Sequence, residues 1–393
     1  MLNRRILRVK AMQGLYAYYN SIEANYNLGV DRIKNEYETR LLNDHSIDKK
    51  ENEKKKRAAV KFFLDAVEKS EFKTRKTDPE DPVAIARESY DNYLSSVKKD
   101  FSYFRKNIVT EAEKIFDLYL MLLLLPGELA ECETRELSQK SGNPKQASDG
   151  KTRIKNTLDN NKIVVKLKNN PELAERCKKN KINWNKHQEV IQGFFDSLVK
   201  KNKEYQSYQE TDERDFEKDR NFMLYLFRDI FFKNDIFGDF MESVDISWFE
   251  DSDILKSMVL KTIKNMNEND RQIEFSTLSK NWDEDKEFFS KIFEVTVKHD
   301  KEYDDIIAQK SKNWDISRIA STDRIILKMA IGEMINFPGI PVKVTINEYI
   351  ELSKNFSTPK SKKFVNGILD VVSGEFLEKG IIKKSGRGLI DNQ

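Results

Sequence analysis

Turn-forming residues are too scarce in this chain for a fold built from many short strands. Only 14 glycines and 8 prolines are spread over 393 residues, whereas strand-rich folds need a turn signal about every 8–12 residues. The chain therefore reads as all-α. Thirty-four per cent of its residues are charged and 38% are hydrophobic, a balance that suits amphipathic helices with wide solvated faces. The length allows about two or three domains at roughly 150 residues each.

Several function classes find no support. Cys132, Cys177, His45, His187 and His299 are scattered, without zinc-ligand spacing or a disulfide framework, which fits a reducing cytoplasm. The N-terminus lacks the apolar core of a signal peptide. The longest apolar run, "LYLMLLLLP" at 118–126, is too short for a membrane span and ends at Pro126, as the core of a helical bundle does. "GNPKQASDGKT" at 142–152 mimics a phosphate-binding loop, but Lys145 stands where a glycine is required and no strand precedes it. No serine lies in a nucleophile elbow. Glu348 and Glu351, at i, i+3, read as a solvated face rather than an acid/base pair. "GRG" at 386–388 reads as a flexible tail. The expectation is a non-enzymatic protein without metal or cofactor.

Charge is segregated along the chain. Residues 1–10 carry four basic side chains and no acid. Residues 140–186 hold 13 basic and 4 acidic residues, 209–254 hold 5 basic and 14 acidic, and 354–387 hold 8 basic and 3 acidic. A polyanion would be drawn to the three basic regions and repelled by the acidic one. Arg4, Arg5 and Arg8 read either as solvated N-terminal charge or, since cations at a helix start oppose the macrodipole, as a sign of an anionic partner. Tyr16, Tyr18 and Tyr19, one to three turns further on, offer stacking faces for unpaired bases, or else pack into the core.

Periodicity predicts a first helix over 3–20, with Arg8, Met12, Leu15 and Tyr19 at i, i+4, i+7, i+11 on one stripe. Short helices are expected over 57–72 and 83–105, and an apolar helix over 107–135, interrupted at Pro126-Gly127. Residues 138–152 are linker-like, and 153–182 are poor in large apolar residues, hence mobile or weakly packed. Helical patterns resume at 184–200, 214–232, 251–267 and 284–310. Helix 316–337, apolar on nearly every side, should be central; a second follows over 343–355, and a third opens with Thr358 as N-cap and Pro359 as its first position. In that last helix Asn366-Gly367, normally a turn signal, sits at helical spacing among Phe364, Ile368 and Val371.

The run from 314 to 373 resembles the C-terminal half of the NusB transcription antitermination family. The likeness lies in "DRIILKMAIGEM", in "PVKVTINEYIELSKNF" at 341–356 and in "KFVNGILD" at 363–370. The opening "NRRILRVKAMQGLYAYY" is similar to the family's arginine-rich first helix. About 110 residues at the two ends carry the likeness, around an insertion of nearly 200, as in the longer members from Bacteroidota. The resemblance implies an all-α fold of two packed helical bundles with a large helical insertion. Its parts would be a first helix (1–20), a partly mobile insertion (21–213), the remaining core (214–380) and a flexible basic tail (381–393). Gly367 would then be a notch for close helix approach, with Asn366 bonding a neighbouring segment.

The family pairs with NusE, a small-subunit ribosomal protein, on boxA RNA of ribosomal RNA operons and, through further factors, acts on RNA polymerase elongation. Carried over by position, Arg4, Arg5 and Arg8 match the RNA-contacting tip, Tyr16 a tyrosine at the RNA surface, Asp323 an acidic residue near it and Phe364 an aromatic beside it. The family's acidic turn before the last helix is here "STPKSKK", with Lys360, Lys362 and Lys363; Lys360 and Lys363 are assigned to phosphate contact. Ser357 replaces the family's glycine. The expectation is a cytoplasmic RNA-binding adaptor. Rival readings are a protein-only scaffold and a stand-alone accessory domain related to RNA cytosine methyltransferases. The insertion's charged blocks read either as docking surfaces or as solvated helix faces.

Overall fold

In the computed structural model, described over residues 3–72, 81–141, 156–211, 215–270, 272–311 and 319–390, the first helix is far longer than its opening suggests. Helix α1 spans Arg4–Asn43. Its second half looks like charged, irregular text, yet Tyr26, Val30, Ile33 and Tyr37 repeat the spacing of Arg8, Met12, Leu15 and Tyr19. They pack with Phe63 and Ala66 of α2 (Lys49–Lys69) and with Ala86 and Tyr90 of α3 (Pro82–Ser141). No strand occurs among the described residues, and none of the helices is long and apolar enough to cross a membrane.

Contacts divide the chain into two compact units. One, the terminal unit, comprises Arg4–Thr110 and Asp283–Gln393; the other, the central unit, is Glu111–Trp282, with Met1–Asn3. These limits differ from the expected insertion of 21–213, because α1, α2 and the first part of α3 share one apolar core with each other.

The central unit holds the rest of α3 and seven further helices: α4 (Lys162–Lys168), α5 (Pro171–Asn180), α6 (Gln188–Phe194), α7 (Lys203–Glu210), α8 (Phe216–Tyr225), α9 (Asp235–Val244) and α10 (Trp248–Asn265). Helix α3 continues through Pro126, contrary to the expected break. An interior proline costs about 3 kcal/mol, but Leu120, Leu122, Leu123, Leu125 and Leu129 are buried around it. The Trp184 indole also donates to Met121 O at 2.9 Å, one residue before Leu122, whose carbonyl Pro126 leaves without its helical donor. The stretch expected to be weakly packed is ordered from residue 156 onward. Asn161 and Asn170 cap α4 and α5, and Ile163, Val164, Leu167 and Leu173 are buried. Asparagines that look like linker are here N-caps. The linker-like 142–152 and the phosphate-loop mimic lie outside the described residues. Glu133, buried, accepts from Leu158 N, Tyr205 Oη and Gln209 Nε2; burial pushes its carboxyl up.

In the terminal unit the remaining helices are α11 (Trp282–Lys298), α12 (Asp300–Lys310), α13 (Ser321–Asn336), α14 (Val342–Phe356) and α15 (Ser361–Glu378). Ten consecutive residues of α13, Ile325–Met334, are buried, so it is the central helix that its composition predicts. Helix α1 packs on α13, and α13 on α14 and α15: the two ends of the chain form one body. Helix α15 starts two residues later than expected, at Ser361. Thr358 serves the preceding turn, where its carbonyl accepts from Ser361 N at 2.9 Å.

Asn366-Gly367 lies inside α15, so it is helical as expected, but it is not a notch. A Cβ on Gly367 would meet nothing within 4 Å, and Asn366 bonds only along its own helix, to Asp370 at 2.8 Å. Close approaches lie in α1 instead: a Cβ on Gly14 would lie 2.2 Å from Ile108 Cγ2 of α3, and one on Gly29 2.4 Å from Phe63 Cζ of α2. The basic tail is docked as well, up to Ile390. Ser385 N donates to Pro338 O at 3.0 Å, Lys384 Nζ to Phe337 O at 3.0 Å, and Ile382 is buried.

Gly367 and Gly14 should respond oppositely. Gly367→Ala, at an exposed helical position, should stabilise by about 0.5–1 kcal/mol. Gly14→Ala should destabilise by about 1–3 kcal/mol through overpacking. Thermal melts of the two variants check this; a shared sign would refute the assignment of the notch.

Candidate nucleic-acid interface

The interface candidates are positioned by α1. On a helix of 3.6 residues per turn, Arg5 and Tyr16, eleven positions apart, fall on nearly one line, about 16 Å from end to end. Arg5 is 48% exposed and Tyr16 43%. The stripe of Arg8, Met12 and Leu15 turns inward instead.

Arg8 therefore does not stand where the sequence placed it. It is 2% exposed, and its Nε and Nη2 donate to Glu333 Oε2 and Oε1 of α13 at 2.8 and 2.6 Å. The same carboxylate accepts from Thr345 Oγ1 at 2.9 Å and Tyr349 Oη at 3.1 Å of α14. Burial alone would lower the Arg8 pKa, but the hydrogen bonds and charge of Glu333 outweigh it and leave the guanidinium held more firmly protonated than usual. Burial, with Glu333 adding, pushes the Tyr349 phenol well up. A guanidinium so enclosed does not reach a phosphate; Arg8 fixes α1 on α13 and α14.

Arg4 and Arg5 remain at the surface, each already facing an acid. Arg5 is bidentate to Glu348 of α14 at 2.9 and 2.8 Å, and Arg4 meets Glu284 of α11 at 2.5 Å. The hydrogen bond from Arg5 holds the Glu348 carboxyl below its ordinary range, against the opposing effect of burial. Exposed pairs of this kind contribute little stability, about 0–1 kcal/mol, so a phosphate can compete for either arginine.

At the start of α15, Lys360, Lys362 and Lys363 are exposed and Phe364 is half-buried. Asp323 lies beneath them. It is 5% exposed, and its Oδ2 accepts from Ser361 Oγ at 2.6 Å, tying α13 to the first residue of α15. As with Arg8, a residue expected at the surface holds that surface in place from below. Glu351 pairs with Lys354 of its own helix, and Arg5 and Lys362 act on it as weaker neighbours. Of the tyrosines, Tyr18 is core, set against Phe101, Phe104 and Phe293. Tyr19 Oη donates to Asp300 at 2.5 Å, and only Tyr16 is free to stack.

Sequence reasoning missed the acids that hold the arginines, although Glu348 lies inside the quoted "INEYIEL" run. The basic block of 140–186 is partly neutralised among its described residues: Lys162 pairs with Glu268 at 2.5 Å, Lys168 with Asp159 at 3.1 Å and Arg176 with Glu172 at 2.6 Å. That pattern is a solvated, locally paired surface. No group of acids, histidines and cysteines among the described residues is arranged to hold a metal ion.

Comparison with known proteins places the likeness in the same region. Residues 251–373 match the NusB family. The transcription antitermination protein NusB of Chloroherpeton thalassium is 44% identical over 106 residues, which is 27% of this chain and 50% of that protein. The protein of the same name from Salinibacter ruber is 42% identical over 105 residues, 27% of this chain and 66% of its own length. That of Elusimicrobium minutum is 44% identical over 90 residues, 23% and 64% respectively. The chain thus spans between half and about two thirds of these relatives and extends well beyond the matched stretch. A solved structure of T. maritima NusB is similar at 26% identity and a TM-score of 0.24, covering 41% of this chain and 95% of that one.

Two outcomes follow from the ion pairs. Arg8→Ala should cost about 3–5 kcal/mol by leaving Glu333 buried without its partner, and replacing both residues with apolar ones should recover much of it; denaturant melts of the single and double variants decide. Because the folded pKa of Glu348 is depressed, its contribution is complete above the unfolded value of about 4.3 and fades as pH falls through the lower folded value. Arg5→Ala should raise the Glu348 titration midpoint, observed by NMR, and lessen the stability difference between neutral and acid pH.

Proposed function

We propose that this chain, whose residues 251–373 are a NusB-family domain, is a transcription antitermination factor that binds single-stranded RNA through the terminal unit. The observation that carries this reading is the surface that the buried Arg8–Glu333 pair assembles from both ends of the chain. On it, Arg5 and Tyr16 of α1 share one face, and Lys360, Lys362 and Lys363 stand exposed at the start of α15. Exposed cations suit a flexible phosphate backbone, and an exposed tyrosine on the helix face that carries Arg5 suits an unstacked base. Similarity to proteins named transcription antitermination protein NusB supports the same reading.

In finer detail, the RNA is of boxA type from ribosomal RNA operons and the protein partner is NusE, the pair acting on the elongating polymerase through further factors. Arg4, Arg5, Lys360, Lys362 and Lys363 supply phosphate contact, Tyr16 and Phe364 stacking, while Arg8 and Asp323 position them.

Binding of a boxA-type RNA to the full chain, with and without NusE, tests this across a salt series. Each phosphate contact in a single-strand complex adds about 0.7 to the slope of log affinity against log salt. Arg5→Glu combined with Lys360→Glu and Lys363→Glu should weaken binding by about 10- to 100-fold and flatten the slope. Native affinity in that variant would overturn the RNA reading and favour a protein-only scaffold.

A further inference from the structure

The terminal unit contains a groove of about 450 Å³ between the start of α1, α11, the loop after α13 and the C-terminal strap; among its lining residues are Arg4, Glu287, Phe288, Lys291, Phe337 and Arg387. Two of these are aromatic and meet edge to face, with Phe288 and Phe337 5.2 Å apart at 72°. Cations lie over both rings. The Arg4 guanidinium is 4.8 Å from the centroid of Phe288, and Lys291 Nζ is 5.2 Å from that of Phe337.

Arg387 reaches this groove because the strap around it is built to hold it there. Gly386 has φ +54, a conformation that side chains rarely adopt. Gly388 is buried, and a Cβ on it would lie 2.0 Å from Pro338 O. The Ser385 and Lys384 bonds to the 337–338 carbonyls fix the strap just before them. One glycine whose backbone disfavours a side chain and one with no room for it thus flank one arginine. That arginine is exposed, and among the described residues its side chain has no hydrogen bond or ion pair. Arg4, by contrast, is already matched by Glu284.

We propose that this groove seats one unpaired nucleotide of the RNA strand, with its phosphate on Arg387 and Lys291 and its base against Phe337. The inference rests on the RNA-binding reading above and extends that surface past Arg4, onto a strap that lies beyond the matched residues 251–373. A planar base suits a wall of aromatic rings better than inorganic phosphate would, since stacking is indifferent to sequence and cation–π contact is already the groove's habit. The volume is within the range of small-ligand clefts, about 300–1,000 Å³. Glu287, on the rim, is an acceptor for a base amino group and a repellent for a second phosphate.

The test uses the full chain and a fluorescent boxA-type RNA, with Arg387→Ala, Arg387→Glu and Phe337→Leu beside Arg5→Glu. The Arg387 side chain is exposed and makes no hydrogen bond or ion pair among the described residues, so its variants should melt like the native chain. Arg387→Glu should weaken binding about tenfold, and Arg387→Ala should reduce the salt slope by about 0.7, the share of one phosphate. Phe337→Leu should weaken binding several-fold at unchanged slope, and 4-thiouridine in the RNA should cross-link to the 337–340 loop. If Arg5→Glu weakens binding while the Arg387 and Phe337 variants match the native chain, the groove is no part of the interface although the RNA reading stands. If Arg5→Glu also binds normally, that reading fails and the nucleotide site falls with it.

Discussion

A guanidinium almost entirely out of water, as Arg8 is, persists only where a carboxylate meets it with both oxygens and where those oxygens are themselves fully engaged. Glu333 does both, with Thr345 and Tyr349 completing its shell. Such a pair is a poor source of net stability compared with apolar packing of the same volume, but it is intolerant of error. A shift of α1 by one residue would strand two charges in the core. The pair therefore sets the register in which α1 lies on α13 and α14, and so decides which of its side chains face solvent. Arg5 and Tyr16 are at the surface because Arg8, Met12 and Leu15 are not.

The resulting surface is a mosaic of opposite signs. Arg4 faces Glu284, Arg5 faces Glu348, and Lys362 lies within the field of Glu351. Self-paired cations of this kind keep the free protein's field low and make attachment to a polyanion an exchange of partners, with acids displaced and counterions released together.

Much of the terminal bundle was legible in sequence: α13 from a run apolar on nearly every side, α14 as the helix expected over 343–355, and the basic character of the α1 and α15 starts. What was not legible had physical causes. The second half of α1 carries the same i, i+4, i+7, i+11 pattern as the first, but dense charge on its other faces hides it. Arg8 reads as a surface cation because sequence cannot show that an acid 325 positions away points at it. In sequence Gly367 reads as a notch, whereas the close approaches are at Gly14 and Gly29; all three are helical glycines, and only the neighbour, Ile108 or Phe63 in two cases and open solvent in the third, tells them apart. Pro126 failed to break α3 because tertiary burial outweighs a local preference, and "GRG" was dismissed because flexibility and enforced conformation share the same letters.

The terminal unit is made from two stretches that the ribosome delivers far apart in time. Arg4–Thr110 emerges first, Glu111–Trp282 follows as an uninterrupted piece, and Asp283–Gln393 comes last. At about 5–20 residues per second, Arg8 waits roughly 15–65 s before Glu333 exists to receive it, whereas the central piece has all its own partners at hand as soon as it leaves the tunnel. The nascent chain thus exposes an unfinished helical face, Met12 and Leu15 included, throughout most of its synthesis.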